Sequence, residues 1–378
     1  MKNLEQDHHT DLVVVGAGIL GCAHAVEALS RGLTVRIIER DSAAVGASVR
    51  NFGHACITAQ AASELPMAQE SRRGWLETAR TVGFWAPESG AVVVARSREE
   101  MAVLEQFRDA RGTDAAQLLT GGEVRRRLHS DDARPNGAIL GGAFLPADLR
   151  VDPRATVGAI AAWLEAQDGA TIAWRTSVRE VADGTVETSR GTFTGEHVVV
   201  CAGHDVDHLF PDVAERWEIV RCALQMARST GLPGYTLDSA VLTGTSMLRY
   251  GGFSAMPAAE ALREEVHRET PELLDMAANV MFTRLPDGSL LLGDSHDYAP
   301  TSRPFMDEGV TDRLLREIGS VLGTTPRIRE RWQGVYASSA LTNLVAERTD
   351  PRTTVATVTS GIGMTLSFGL ARHTLDGL

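Results

Sequence analysis

The chain has 378 residues and a formal net charge of −12, which excludes a nucleic acid or an anionic membrane as the expected partner, because both select a basic surface. Lysine and arginine together number 37, and Lys2 is the only lysine. Pyridoxal-phosphate, Schiff-base and P-loop chemistries each need a positioned lysine and are excluded on that ground. No apolar run approaches the ~20 residues that span a bilayer. The N-terminal segment is polar, unlike a signal peptide, so the expected location is cytoplasmic. The length leads us to expect two domains.

In chain order, the first element is a strand over Leu12 to Val15, followed by Gly16, Gly18 and Gly21. A helix-compatible run follows to Gly32, and a second strand over Thr34 to Ile38 ends at Glu39. This is a dinucleotide-binding βαβ unit. Gly16 allows the tight turn, Gly18 lets the backbone approach a pyrophosphate, and Gly21 lets the helix pack on the sheet. Glu39 is placed to hydrogen-bond a ribose, and its charge would repel the 2′-phosphate of NADP. Helices are predicted over 60–82, 98–110, 122–128 and 155–167, the last with Pro153 at its start, and a strand over 91–95. Short strands follow at 172–178, 184–187 and 192–194. Then comes Glu196-His-Val-Val-Val-Cys-Ala-Gly203, a buried strand with a small-residue turn at Ala202 and Gly203 that can approach a cofactor.

From Trp217 to Phe305 strand-like stretches at 221–228, 278–285 and 290–293 alternate with a polar helix over 258–269. The chain closes with a strand over 354–358, the turn Ser360-Gly-Ile-Gly363 and a helix from Met364. A helix start there offers unpaired N–H groups and a partial positive charge, suited to a negatively charged group. Cys22, Cys56, Cys201 and Cys222 have no metal-ligand spacing, so neither a metal nor a disulfide framework is expected.

Taken together, Gly16, Gly18 and Gly21 with Glu39, the stretch Ser48-Val-Arg-Asn-Phe-Gly53, Val198-Val-Val-Cys-Ala-Gly203 and Gly361-Ile-Gly-Met-Thr-Leu366 resemble the D-amino-acid oxidase family, which includes glycine oxidase and sarcosine oxidase. The resemblance implies an α/β fold. A discontinuous Rossmann-like FAD-binding domain of glutathione-reductase type would comprise 1–85, 145–216 and 331–378. A second, α+β substrate domain on a mainly antiparallel sheet would comprise 86–144 and 217–330. It implies FAD rather than NAD, held without a covalent bond by Gly16, Gly18, Ile19, Gly21, Glu39, Arg40, Ser48, Arg50, Asn51, Phe52, Val178, Ala202, Gly203, Gly361, Gly363, Met364 and Thr365. Val178 corresponds to the residue whose backbone meets adenine, and Arg50 and Asn51 to a flavin cover.

The implied chemistry is hydride transfer from a carbon bearing an amine to flavin N5, followed by imine hydrolysis. The acceptor is oxygen or another electron acceptor. With no lysine near the flavin, His54 or an arginine would assist oxygen. In amino-acid-oxidising relatives an arginine and a proline stand where this chain has Tyr336 and Ala337. A phenol cannot neutralise a carboxylate, so an ordinary α-amino acid loses its strongest anchor. Arg50-Asn-Phe-Gly-His54, Met247-Leu-Arg-Tyr-Gly251 and Gly293-Asp-Ser-His-Asp-Tyr298 resemble a phosphonate-associated branch, which implies oxidation of 2-aminoethylphosphonate or its N-methyl derivative. Arg249, Tyr250, His296, Tyr298 and Tyr336 are then expected to form the anion end of the pocket. Alternatives are a sarcosine- or glycine-type oxidase and an FAD-binding subunit or sensor without turnover. A homo-oligomer is left open.

Overall fold

The computed structural model describes residues 9–128, 139–235 and 237–378. The polar N-terminal segment with Lys2 lies outside the described residues. Two large sheets organise the rest. In the first, the strands run in the order Leu344–Asp350, Thr353–Val358, Gly191–Val200, His9–Val15, Val35–Ile38, Ala170–Ala173. The five strands from Thr353–Val358 to Ala170–Ala173 are parallel, with Val15 paired to Ile38 on one side and to Val200 on the other. Parallel strands are covered on both faces, which is why Leu12 to Val15 and Val198 to Val200 read as unbroken apolar runs. The first strand sits where the strand order reverses, and in open α/β sheets that crevice takes the ligand.

The helices Ile19–Ser30, Leu65–Val82, Pro153–Ala166 and Gly363–Asp376 pack on one face of this sheet. Asp152 caps the third of these, accepting from the Arg154 and Ala155 N–H groups, and Pro153 takes the first helical position. Trp75 is fully buried, stacks edge-on to Phe368 at 5.0 Å, and donates from Nε1 to the Met364 carbonyl at 2.7 Å. It thereby pins the start of the last helix. Truncating such a side chain costs about 3–5 kcal/mol.

The second sheet has nine strands. Strand Val220–Ser229 pairs antiparallel with Asp297–Ala299, Leu290–Gly293 and Ile328–Ser338. The sheet continues through Met281–Arg284 and Ala240–Leu242 to Ala91–Ala95, Gly141–Leu145 and Gln117–Thr120. Every pairing is antiparallel except that of Ala240–Leu242 with Ala91–Ala95. Helices Arg98–Arg111, Ala258–Glu269 and Glu308–Leu322 cover it.

Several expected boundaries are corrected. Residues 60–64 form turns, and the helix begins at Leu65. The stretch 172–178 divides into the strands Ala170–Ala173 and Val178–Ala182, because Arg175 turns into the left-handed region (φ 56°) and Thr176 N–H binds the Glu39 carbonyl. The strands expected at 192–194 and 196–200 are one, Gly191–Val200. Residues 278–280 precede the strand, which begins at Met281, and Asn279 exchanges two backbone bonds with Asp294. The helix Glu308–Leu322 was not expected. The return to the first unit expected at residue 331 falls inside strand Ile328–Ser338 of the second sheet, so the first sheet regains the chain only at Leu344.

Candidate active site

The carboxyl ends of the parallel strands open into a cleft that continues to the inner face of the second sheet. It encloses about 1980 Å³ of empty space, counted to its open mouth. The part that water can occupy measures about 440 Å³, within the ~300–1000 Å³ of small-molecule sites.

At one end is the glycine turn. Gly16 has φ 101°, and a Cβ there would lie 2.6 Å from the Cys201 carbonyl oxygen. A Cβ on Gly21 would lie 1.8 Å from the Gly16 carbonyl oxygen, which confirms its packing role; Gly21 does not line the cleft. Glu39 accepts from Ala17 N–H (2.8 Å) through Oε2 and from Asp41 N–H (2.9 Å) through Oε1. Its carboxylate therefore ties the glycine turn to the second strand, besides facing the cleft. Arg40 pairs with Asp205 at 2.7 Å on the rim. Gly18, Ile19, Val178, Ala202 and Gly203 line the wall, and Ser48 Oγ accepts from Ile19 N–H at 2.9 Å. Arg50 and Phe52 line it as well, Arg50 donating to the Gln333 carbonyl. Asn51 also reaches the cleft, but its amide donates to the Ala47 and Ser48 carbonyls and its Oδ1 accepts from Gly53 N–H. Its polar atoms hold the loop, so the expected covering role is not one of hydrogen bonding.

Gly361, Gly363 and Met364 close the middle of the cleft. Gly361 has φ 77°, and a Cβ there would sit 3.0 Å from the Tyr336 ring, so this turn and that ring require each other's shape. Thr365 is corrected: its hydroxyl is buried, accepts from Cys56 N–H at 3.1 Å, and is absent from the cleft wall. His54 is corrected too. Buried and bonded through Nε2 to Asp148 Oδ2 at 2.9 Å, it does not line the cleft and is not placed to assist oxygen.

At the far end stands Arg249, in the last turn of the helix Gly244–Arg249. Thr243 Oγ1 donates to the Val280 carbonyl and Ser246 Oγ to Asn279 Oδ1, which ties this helix to the second sheet. The guanidinium donates from Nη1 to Tyr298 Oη (3.1 Å) and from Nη2 to Tyr336 Oη (2.6 Å). Burial opposes its charge, but Tyr336, Tyr298 and Asp294 more than offset this and its pKa lies above the ordinary value. Among the described residues no carboxylate oxygen stands within 4.0 Å of it.

Tyr298 is half-exposed and reaches the site only through Arg249; Tyr250 lines the cleft but aims its hydroxyl at Met281 Sδ (3.7 Å). His296 lines the cleft, yet its place in an anion-holding group is corrected. Its Nδ1 lies 2.7 Å from the Ala277 carbonyl, which only accepts, so Nδ1 carries the proton and Nε2 is a lone pair. Burial, with Arg249 nearby, pushes its pKa well down, so the ring is neutral at physiological pH. A neutral acceptor repels an anion. Sequence reasoning did not single out Asp294 and Asn279, which also line this end. Asp294 lay inside a stretch quoted for resemblance, but nothing local marks its burial.

The family of FAD dependent oxidoreductases abbreviated DAO matches residues 11–376. The chain is 25% identical over 284 residues to gamma-glutamylputrescine oxidoreductase of Escherichia coli (strain K12), covering 64% of each protein. It is 26% identical over 211 residues to glycine oxidase of Geobacillus kaustophilus (strain HTA426), covering 52% of this chain and 55% of that enzyme. The match thus spans less than two thirds of either curated relative. In fold, the chain is similar to crystalline glycine oxidase from Geobacillus kaustophilus (TM-score 0.76, 20% identity, 98% and 94% of the chains covered). It is also similar to reduced L-alpha-glycerophosphate oxidase from Mycoplasma pneumoniae with FAD bound (TM-score 0.74, 18% identity, 97% and 94% covered). The glycine turns whose Cβ positions are blocked and the long cleft between two sheets fit FAD. The chain belongs to the DAO family and is an FAD-dependent oxidoreductase.

Proposed function

We propose that this oxidoreductase acts on a small amine that carries an anionic group, with 2-aminoethylphosphonate or its N-methyl derivative as the substrate and phosphonoacetaldehyde as the carbonyl product. The observation that carries the reading is Arg249: a cation on the cleft wall, held in place by two phenols, with no carboxylate in ion-pair range among the described residues. A charge left so needs an anion from the ligand, since partly desolvated cations are ordinarily paired. The amine half of the reading is supported by the two curated relatives, one named for gamma-glutamylputrescine and the other for glycine.

Bound FAD supplies two-electron, hydride-accepting chemistry, and the protein supplies binding, orientation and electrostatics. Gly16, Gly18, Glu39, Ala202, Gly203, Gly361 and Gly363 would hold it without a covalent bond, with Met364 at the start of the last helix. Arg249, steadied by Tyr298 and Tyr336, would fix the anionic end of the substrate and so aim its amine-bearing carbon. Oxygen or another acceptor would then regenerate the enzyme.

The test is the visible spectrum of the purified protein under anaerobic conditions before and after each candidate amine. Bleaching by the aminophosphonates ahead of sarcosine and glycine supports the reading. Bleaching by sarcosine or glycine alone moves the substrate to the amino-acid branch, and a flavin that none reduces assigns the chain to a non-turning-over subunit or sensor.

A further inference from the structure

A second group of polar side chains lines the same end of the cleft, and one of its atoms, Asp294 Oδ1, is buried without a hydrogen-bond partner. Asp294 lies directly after strand Leu290–Gly293, and its backbone is clamped by two 2.8 Å bonds exchanged with Asn279. Its side chain is 5% exposed, and Oδ1 is buried without any hydrogen bond. Oδ2 stands 3.8 Å from Nε2 of His296, beyond hydrogen-bond length. The His296 tautomer makes Nε2 an acceptor. Two acceptors, Asp294 Oδ2 and His296 Nε2, therefore face each other across a gap between residues of the cleft wall. A buried acceptor left as Oδ1 is costs about 1–3 kcal/mol, and a ligand nitrogen bearing two hydrogens could donate to the carboxylate and to Nε2 together. An anion would meet repulsion from both.

We infer that Asp294 and His296 Nε2 form the amine-receiving corner of the active site, and that the Asp294 carboxylate takes a proton from the incoming substrate ammonium. The N–H bond breaks, an O–H bond forms on Asp294, and the nitrogen regains the lone pair that oxidation of its neighbouring carbon requires. No oxidant enters this step. Arg249 and Asp294 then divide a bifunctional substrate between them, anion to one and amine to the other. The inference rests on the reading that the substrate is an amine, but not on which anion it carries.

The surroundings suit the role. Around Asp294 stand Arg249 and Tyr250 at the end of helix Gly244–Arg249, Asn279 before strand Met281–Arg284, His296 on its own segment and Cys222 on strand Val220–Ser229, while Tyr298, and Tyr336 on strand Ile328–Ser338, pack against the His296 ring. Burial raises the carboxyl, Arg249 and the Asn279 side chain lower it part of the way, and the result is a pKa of about 7. A base poised there is ionised at mildly alkaline pH and still strong enough to take an amine proton.

The experiment compares wild-type and Asp294→Asn holoenzymes, with Asp294→Glu as the conservative variant. Anaerobic flavin reduction by N-methyl-2-aminoethylphosphonate, sarcosine and methylamine is followed across pH. Binding of ethylphosphonate, which has the anion but no amine, is titrated separately through the flavin spectrum. The expected result is a loss of about 10²-fold or more in the reduction rate of Asp294→Asn at neutral pH. The rate recovers as the pH approaches the amine's own pKa and is partly restored by glutamate, while ethylphosphonate affinity is unchanged. An Asp294→Asn rate within about threefold of wild type with the same pH profile would overturn the inference. So would an equal loss of ethylphosphonate affinity, which would mark a merely structural carboxyl. If wild type does not bind ethylphosphonate but Asp294→Asn still shows the shifted profile with sarcosine or methylamine, the anion reading fails and the amine corner stands. If no amine binds or reduces wild type, both fail.

Discussion

Replacing Arg249 with glutamine tests the anion anchor directly. The guanidinium gives one N–H each to Tyr298 (3.1 Å) and Tyr336 (2.6 Å), so its remaining donors and its charge are free to meet a ligand. An anionic oxygen about 4 Å from that charge gains roughly 4 kcal/mol at an effective dielectric near 20. The open mouth of the cleft lets water and salt screen part of this, leaving about 3 kcal/mol, or roughly a 10²-fold weaker Kd. Glutamine keeps much of the side-chain volume and one donor toward the phenols, so the cleft and its flavin should persist. The assay is titration of ethylphosphonate into oxidised holoenzyme, followed by the flavin absorbance, at two ionic strengths. Wild-type binding should weaken with salt, whereas that of Arg249→Gln should be weak at both. A loss under about threefold, with flavin content intact, would refute the electrostatic argument. So would an equal loss of affinity for methylamine, because that amine carries no anion for Arg249 to hold.

Gly361→Val places a Cβ 3.0 Å from the Tyr336 ring on a backbone with φ 77°, a conformation costing a non-glycine residue about 1–2 kcal/mol before the clash is added. The variant should fold, by circular dichroism, yet emerge from gel filtration with a flavin-to-protein ratio well below that of wild type; full flavin occupancy would argue against the turn's role. Asp148→Ala removes a buried carboxylate that accepts from Ile57 N–H, Thr58 N–H, the Thr58 hydroxyl and His54. It should cost about 3–5 kcal/mol and lower the Tm by more than about 5 °C, measured by calorimetry. Asp294 sets a pH dependence of stability. Its native pKa of about 7 exceeds the ordinary carboxyl value of 3.8, so between these the folded state binds more protons than the unfolded chain. Stability must therefore fall as pH rises through that window, and Asp294→Asn should remove this part of the slope in a Tm-against-pH series.

The cofactor half of the molecule was legible in the sequence because its signals are local. Gly16, Gly18 and Gly21, the apolar run before them and Glu39 lie within one βαβ unit, and Gly16 and Gly21 answer to backbone constraints that any chain making this turn must meet. The match of the expected helix at 258–269 and strand at 290–293 to the structure has the same origin, a clear period bounded by breakers. Elsewhere local pattern misled. The boundary expected at residue 331 falls inside strand Ile328–Ser338 of the second sheet, because a strand's partner is not written in its own residues. Asn51 resembled a cofactor contact and is occupied with its own loop.

The substrate end divides in the same way. Arg249 and Tyr336 were nameable from sequence, as a cation and a departure from the family's arginine, and the fold brings them into contact. Whether His296 would hold an anion or receive a donor depended on the Ala277 carbonyl that fixes its tautomer. Asp294 became a candidate only through its burial and its missing partner. The sequence by itself determined the FAD fold and the turns that cradle a dinucleotide, since those follow from short-range backbone geometry. Tertiary structure alone decided which side chains meet at the far end of the cleft and in what state. Protonation, tautomer and unsatisfied hydrogen bonding are set by desolvation and by neighbours that residues 249, 279, 294 and 336 meet only when the chain is folded.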